Sequence, residues 1–105
     1  MAKYFSPKRT DETIALTFDF KNVIASSETI VDANWLVEVV DGVDNTPNST
    51  MVIGSEGISG TQVTQLIGSG VDGVVYRMVC KIITDAGPQT IAGIGLLVID
   101  NEKNE

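Results

Sequence analysis

The chain has 105 residues, of which 43% are hydrophobic and 20% charged, and its formal net charge is −7 at pH 7. This composition is that of one globular domain with one modest core, so it excludes a disordered chain and a fold that depends on disulfides or metals. An excess of acidic groups repels phosphate backbones and anionic lipids, which argues against nucleic acid and membranes as partners.

The charge is unevenly distributed along the chain. Lys3, Lys8 and Arg9 give the first ten residues a charge of +3, whereas residues 11–105 hold four basic and fourteen acidic residues. The N-terminus has no apolar core of signal-peptide length, and the longest apolar stretch, residues 91–99, is far shorter than the ~20 residues of a membrane helix. We therefore expect a protein that stays in the cytoplasm or is assembled there into a larger particle.

Alternating apolar and polar residues predict strands along the whole chain. The clearest case is residues 13–20, where Ile14, Leu16, Phe18 and Phe20 share one face. The predicted strands are residues 13–20, 27–31, 35–40, 51–53, 61–67, 74–84 and 90–99, separated by turns containing Gly, Asp, Asn and Pro. Seven short strands without helices predict an all-β sandwich or barrel with antiparallel sheets.

These strands divide the chain into an N-terminal arm (residues 1–12), a β-sandwich domain (residues 13–100) and a charged tail (residues 101–105). The predicted core consists of Ile14, Leu16, Phe18, Trp35, Val37, Val39, Val63, Tyr76, Met78, Cys80, Ile82, Ile94, Leu96 and Val98. In the last strand Ile91, Leu97 and Ile99 compete for the inside. Trp35 is interpreted as a core anchor, with an exposed binding platform as the alternative.

The sequence contains no histidine, which argues against the usual nucleophile triads and most zinc sites. Cys80 lies in an alternating strand and has no evident base, so we interpret it as a core residue. The spacing of glycines in residues 68–73 fits a dinucleotide motif, but the following residues resemble a strand instead of the helix that phosphates need. Asp41, Asp44 and Asn45 fit no calcium loop. We expect no catalytic, metal or cofactor site, and no enzyme activity.

Two patterns resemble known families. Residues 73–87, with Tyr76 near the start of a strand, resemble the penultimate strand and hairpin of an immunoglobulin-like sandwich. The order of features along the chain resembles a family of small bacteriophage virion proteins: a Lys/Pro/Asp-rich lead (residues 7–12), Phe-Asp-Phe (residues 18–20), Ser-x-x-Ile (residues 27–30), a strand with Trp35, Gly-x-x-Tyr (residues 73–76) and Thr-x-x-Gly (residues 84–87) before an apolar final strand.

This resemblance implies an immunoglobulin-like β-sandwich that acts as a structural subunit of a phage particle. Such proteins are associated with tails, fibre–tail attachment, necks or capsid decoration, so we expect other virion proteins as partners, a homo-oligomer in the particle and a location in the virion. The alternative function is a carbohydrate- or host-surface-binding β-sandwich, to which Trp35, Tyr4 and the acidic loops would contribute.

The arm is the predicted interface. Tyr4, Phe5, Lys8 and Arg9 precede the first predicted strand and have no evident partner in the regular pattern of their own chain, so we expect them to dock on an acidic surface of a neighbouring subunit. On a copy of this chain, that surface would include Asp41, Asp44 and Asp72. The alternative is that the arm is a frayed, solvated terminus. Deleting residues 2–9 is then expected to preserve the fold and abolish incorporation into particles.

The final predicted strand, residues 90–99, is apolar on both faces. Exposed apolar strands are prone to aggregation. We therefore expect this strand to be covered either by a neighbouring subunit or by the N-terminal segment.

Overall fold

The computed structural model describes residues 3–86 and 90–102, and these residues form an all-β protein, as the sequence predicts for its fold class. They also contain one short helix, which the sequence pattern did not predict. The elements in chain order are β1 (Lys3–Tyr4), β2 (Ile14–Asp19), β3 (Ile30–Asp41), α1 (Pro47–Met51), β4 (Val52–Ser59), β5 (Gln62–Ile67), β6 (Val75–Thr84) and β7 (Thr90–Val98). In the described part of the chain, no helix has the length and apolar character to cross a membrane.

The strands form two sheets that pack against each other. The larger sheet has the order β1-β7-β6-β3 and the smaller sheet has the order β2-β5-β4. All neighbouring strands are antiparallel except β1, which runs parallel to β7. The core lies between the sheets, where the ring of Phe18 in the smaller sheet is 5.2 Å from the ring of Trp35 in the larger sheet.

Two β-bulges account for strands that the sequence pattern divided or shortened. The predicted strands at residues 27–31 and 35–40 are one strand, β3, whose pairing with β6 shifts between Ile30 and Asp32. The shift places both Ile30 and Ala33 in the core and so breaks the alternation. Likewise β4 extends to Ser59, although residues 54–60 were predicted to be a turn.

The bulge in β4 has a specific support. Its pairing with β5 shifts between Ile53 and Gly57. The buried side chain of Gln65 fills this gap, since its Nε2 donates to the backbone oxygens of Ile53 at 2.9 Å and Gly54 at 3.2 Å. The side-chain amide of Gln65 thus replaces backbone hydrogen bonds that are missing between the two strands. The local sequence does not indicate this replacement.

The inward face of β7 differs from the prediction. Ile94 is 42% exposed, and Leu96 and Val98 are only partly buried, whereas Leu97 and Ile99 are fully buried. The reason is the pairing with β6, in which the core residues Tyr76, Met78, Cys80 and Ile82 lie opposite Leu97, Gly95, Gly93 and Ile91. Because cross-strand partners share a face, two glycines occupy the core side of β7.

The rest of the predicted core agrees well with the structure. Leu16, Phe18, Trp35, Val37, Val63, Tyr76, Met78, Cys80 and Ile82 are buried. Ile14 and Val39 are partly buried and pack against the core. The core also includes residues outside the predicted list, among them Phe20, which the alternation places on the same face as Phe18, and Met51.

Candidate protein–protein interface

The N-terminal arm is an integral part of the larger sheet. The backbone N–H of Phe5 donates to Leu96 O at 2.9 Å, and that of Lys8 donates to Val98 O at 3.0 Å. The backbone N–H of Asp100 in turn donates to Lys8 O at 2.8 Å. The expectation that the arm lacks a partner in its own chain is therefore wrong, and the N-terminal segment pairs with part of the edge of the final strand.

The four predicted interface residues have different environments. Tyr4 is 74% exposed, whereas the side chain of Lys8 is fully buried and its Nζ donates to Ser69 O at 2.5 Å. Phe5 is partly buried, with its ring 5.5 Å from that of Phe18 in an edge-to-face arrangement. Of these four residues, only Tyr4 has most of its side chain exposed to solvent and so available to a partner. A docking role for the group stays a prediction.

Arg9 is also engaged within the chain. Its Nη1 donates to Asn101 O at 2.5 Å, and its Nε lies 3.2 Å from Asp11 Oδ1. The backbone N–H of Thr10 donates to the Asn101 side chain at 2.8 Å. These bonds attach the arm to the chain that follows β7, so Arg9 is held at the end of the sandwich where β7 finishes.

The three acidic residues proposed as acceptors lie at that same end, Asp44 and Asp72 in loops and Asp41 at the end of a strand instead of in the predicted loop. β3 finishes at Asp41, which is paired with Val75 at the start of β6. Asp44 accepts a hydrogen bond from the Tyr76 hydroxyl at 2.7 Å, and Asp72 accepts one from the Asn101 N–H at 2.9 Å. Two of the three carboxylates thus stabilise the loops of their own chain.

The residues considered for chemistry occupy structural positions. Trp35 is only 4% exposed, so the core-anchor interpretation is confirmed and an exposed platform at Trp35 is wrong. Cys80 is fully buried, and burial, with a contribution from Glu56, raises the pKa of its thiol to about 12. A thiol with this pKa is a poor nucleophile near neutral pH.

The glycine motif and the metal hypothesis also find no support in the described residues. The loop of residues 68–73 leads into the strand β6, so the helix that a dinucleotide motif needs is not there. Within residues 3–86 and 90–102, no group of three His, Cys, Asp or Glu side chains is arranged to hold a metal ion. No ligand pocket is found in this part of the chain either.

Sequence reasoning singled out the apolar final strand but missed its alignment with β3 and β6 on the outward-facing side of the larger sheet. Here Leu36 of β3, Val79 of β6 and Ile94 of β7 lie side by side, because Val79 is paired with both of the others. The next row contains Glu38, Arg77, Leu96 and Tyr4. We call this surface the outer face; its further described members are Asp32, Asn34, Asp41, Val75, Lys81, Ile83, Ala92 and Val98.

Comparison with known protein families identifies the chain. Residues 8–94 match the family described as podophage GP4 fiber-tail adaptor protein gp77. The chain belongs to this family. A search of curated proteins finds no match. Membership confirms the resemblance to small phage virion proteins: the family is one of structural adaptors, which implies a location in the virion and interaction with other virion proteins.

Proposed function

We propose that this chain is a non-enzymatic structural subunit that joins a podophage tail to its fibres through protein–protein contacts. The match of residues 8–94 to the fiber-tail adaptor family carries this proposal. It is consistent with a core that encloses Trp35 and Cys80, the two side chains considered above for binding and for chemistry. The same role requires no cofactor.

We further infer that the scaffold is an immunoglobulin-like sandwich. If β2 to β7 correspond to strands B to G of that fold, the orders β2-β5-β4 and β3-β6-β7 match its two sheets. Tyr76, at the start of β6, accepts a hydrogen bond from the Val71 N–H at 2.9 Å, which resembles the tyrosine corner of such domains. A scaffold of this kind presents rigid sheet faces and end loops to its partners.

The proposed partners are other virion proteins and further copies of this chain. The net charge of −7 disfavours nucleic acid and anionic membranes, because both would be repelled. Tyr4 is the arm residue best placed for a direct contact, since its aromatic side chain is 74% exposed. Lys8 would contribute only if the arm left β7.

A binding experiment with purified tail and fibre proteins tests this proposal. The immobilised chain should capture both proteins in a saturable manner, and Tyr4→Ala should weaken capture more than the matched change Val23→Ala. Val23 is a suitable control because it is also largely exposed, at 61%, but lies in the loop between β2 and β3. The adaptor role would be overturned if the chain bound neither the tail protein nor the fibre protein. Saturable binding to a glycan array without binding to virion proteins would also overturn it.

A further inference from the structure

We propose that the outer face of the larger sheet is the surface on which a second copy of this chain packs, sheet against sheet about a twofold axis. The inference rests on the proposed assembly function, since it names one of the contacts that such a subunit would make. It concerns side chains of β1, β3, β6 and β7 that the core does not use.

The centre of the outer face is apolar. Leu36, Val79 and Ile94 form a continuous row across three strands, with Val79 paired to each neighbour. Val79 is only 8% exposed although it points away from the core, while Ile94 beside it is 42% exposed. Leu96 and the 74% exposed ring of Tyr4 extend the apolar surface to the edge of the sheet. Water contact with such a surface is unfavourable.

The outward side of the smaller sheet is different. Its central row contains Thr17 and Thr64, whose hydroxyl oxygens are 2.8 Å apart. Its apolar side chains are confined to the row of Ala15, Leu66 and Ile53 near one end of the sheet. An antiparallel sheet usually has one solvated polar face. The smaller sheet follows this rule and the larger sheet departs from it.

The charges on the outer face favour a copy of the chain as the occupant. Arg77 and Lys81 nearly balance Asp32, Glu38 and Asp41, so the described face carries a charge of −1 on a chain with a net charge of −7. Two copies can meet here with little of the repulsion expected between their acidic remainders. A strongly basic partner would be attracted more to the acidic end loops, and an acidic partner would approach Asp32 and Glu38.

The size of the face also fits a pair of copies. The three long strands are each about 30 Å long and lie ~4.8 Å apart. Together with β1 they give the outer face an area on the order of 500 Å². Two copies would bury about 1,000 Å², the lower limit for a specific interface. A twofold axis near Val79 and Ile94 superposes the two apolar centres and leaves Asp32 and Glu38 of the edge strand at the rim. The dimer should accordingly be weak and concentration-dependent.

Sedimentation equilibrium of the full chain over an approximately 100-fold concentration range tests this interface. The wild type should show a reversible monomer–dimer equilibrium. Ile94→Lys should raise the dissociation constant at least about tenfold, while Leu66→Lys should change it less than about twofold. The two residues are matched, at 42% and 47% exposure on outward sheet faces. Both changes reduce the net negative charge, so general repulsion cannot explain a loss of dimer.

Circular dichroism should confirm that both variants keep the β-sheet spectrum. If Ile94→Lys does not fold, Tyr4→Ala tests the same face at a side chain that is already exposed, and it should weaken the dimer about threefold or more. A wild type that remains monomeric over the whole range, or equal losses from Ile94→Lys and Leu66→Lys, would overturn the inference. A monomer that still binds tail and fibre proteins would overturn this inference alone, whereas a dimer that binds neither would overturn only the proposed function.

Discussion

At the scale of single residues, Tyr76 joins three segments through one hydroxyl group. The hydroxyl donates to Asp44 Oδ2 at 2.7 Å and accepts from the Val71 N–H at 2.9 Å, while the ring is fully buried. Tyr76→Phe leaves both groups without this partner and should lower the free energy of unfolding by about 1–2 kcal/mol in urea denaturation. Tyr4→Phe is the control, with an expected change below about 0.5 kcal/mol because its side chain is exposed. Equal effects would contradict the role assigned to Tyr76.

Two buried groups that ionise at high pH, the Tyr76 hydroxyl and the Cys80 thiol, should make the stability of the fold sensitive to alkaline pH. Burial and the Asp44 carboxylate raise the pKa of Tyr76 from 10.0 to about 12, and burial with Glu56 raises the pKa of Cys80 from 9.0 to about 12. Both groups therefore ionise at lower pH in the unfolded chain than in the folded chain. Their contribution to stability is complete below the unfolded values and is lost as pH rises from about 9 to about 12.

Urea unfolding at a series of pH values measures this dependence. Tyr76→Phe and Cys80→Ala should each reduce the alkaline loss of stability relative to the wild type. Comparing variants at the same pH removes the common effect of lysine titration. If both variants lose as much stability at alkaline pH as the wild type does, neither group causes the loss.

At the scale of the elements, Gly93 allows β7 to approach the rings of the smaller sheet. A Cβ at this position would lie 3.0 Å from Phe18 Cδ1 and 3.2 Å from Phe20 Cζ. Gly93→Val should thus overpack the core and destabilise the fold by about 1–3 kcal/mol. Ala92→Val, on the exposed side of the same strand, should change stability by less than about 0.5 kcal/mol. Chemical denaturation of both variants checks this, and a more stable Gly93→Val would refute it.

The arm should behave as a structural element. Deleting residues 2–9 removes the contact of Phe5 with Phe18 and the buried bonds of Lys8, and it exposes the edge of β7. We expect the deletion to lower the free energy of unfolding by at least about 2 kcal/mol, in contrast to the intact fold expected from sequence alone. Tyr4→Ala, which keeps these contacts, should be nearly neutral. A deletion variant as stable as the wild type would show that the arm is dispensable.

At the scale of the whole molecule, negative charge is concentrated at one end of the sandwich. The acidic residues there are Asp11, Glu12, Asp41, Asp44, Asp72, Asp100 and Glu102, and they outnumber the cations Lys8 and Arg9. Because salt screens exposed charges beyond about 10 Å at 0.1 M, added NaCl should raise the unfolding temperature by roughly 2–4 °C. Scanning calorimetry in NaCl and KCl should give the same rise, and Asp41→Asn a smaller one. A fall in unfolding temperature with salt would contradict this account.

The candidate interface was less predictable from sequence than the fold. The outer face unites Leu36, Val79 and Ile94, which lie in three strands, and their alignment follows from the pairing of β6 with both neighbours. The arm, by contrast, was singled out by its charge, yet its Lys8 is buried by carbonyl groups that include Ser69 O, 61 residues away. The type of a residue indicates whether its side chain prefers water. It does not indicate which distant backbone oxygens can take the place of water around that side chain.

By itself, the sequence determined the all-β class, the absence of histidine chemistry and the core positions of Phe18, Trp35 and Tyr76, because alternation along a strand is a local property of the chain. Only the tertiary structure decided which side of β7 faces inward. Both sides of that strand are apolar, so its own pattern is ambiguous. The register with β6 places Gly93 inside, where the rings of Phe18 and Phe20 occupy the space that a side chain would fill, and it leaves Ile94 outside.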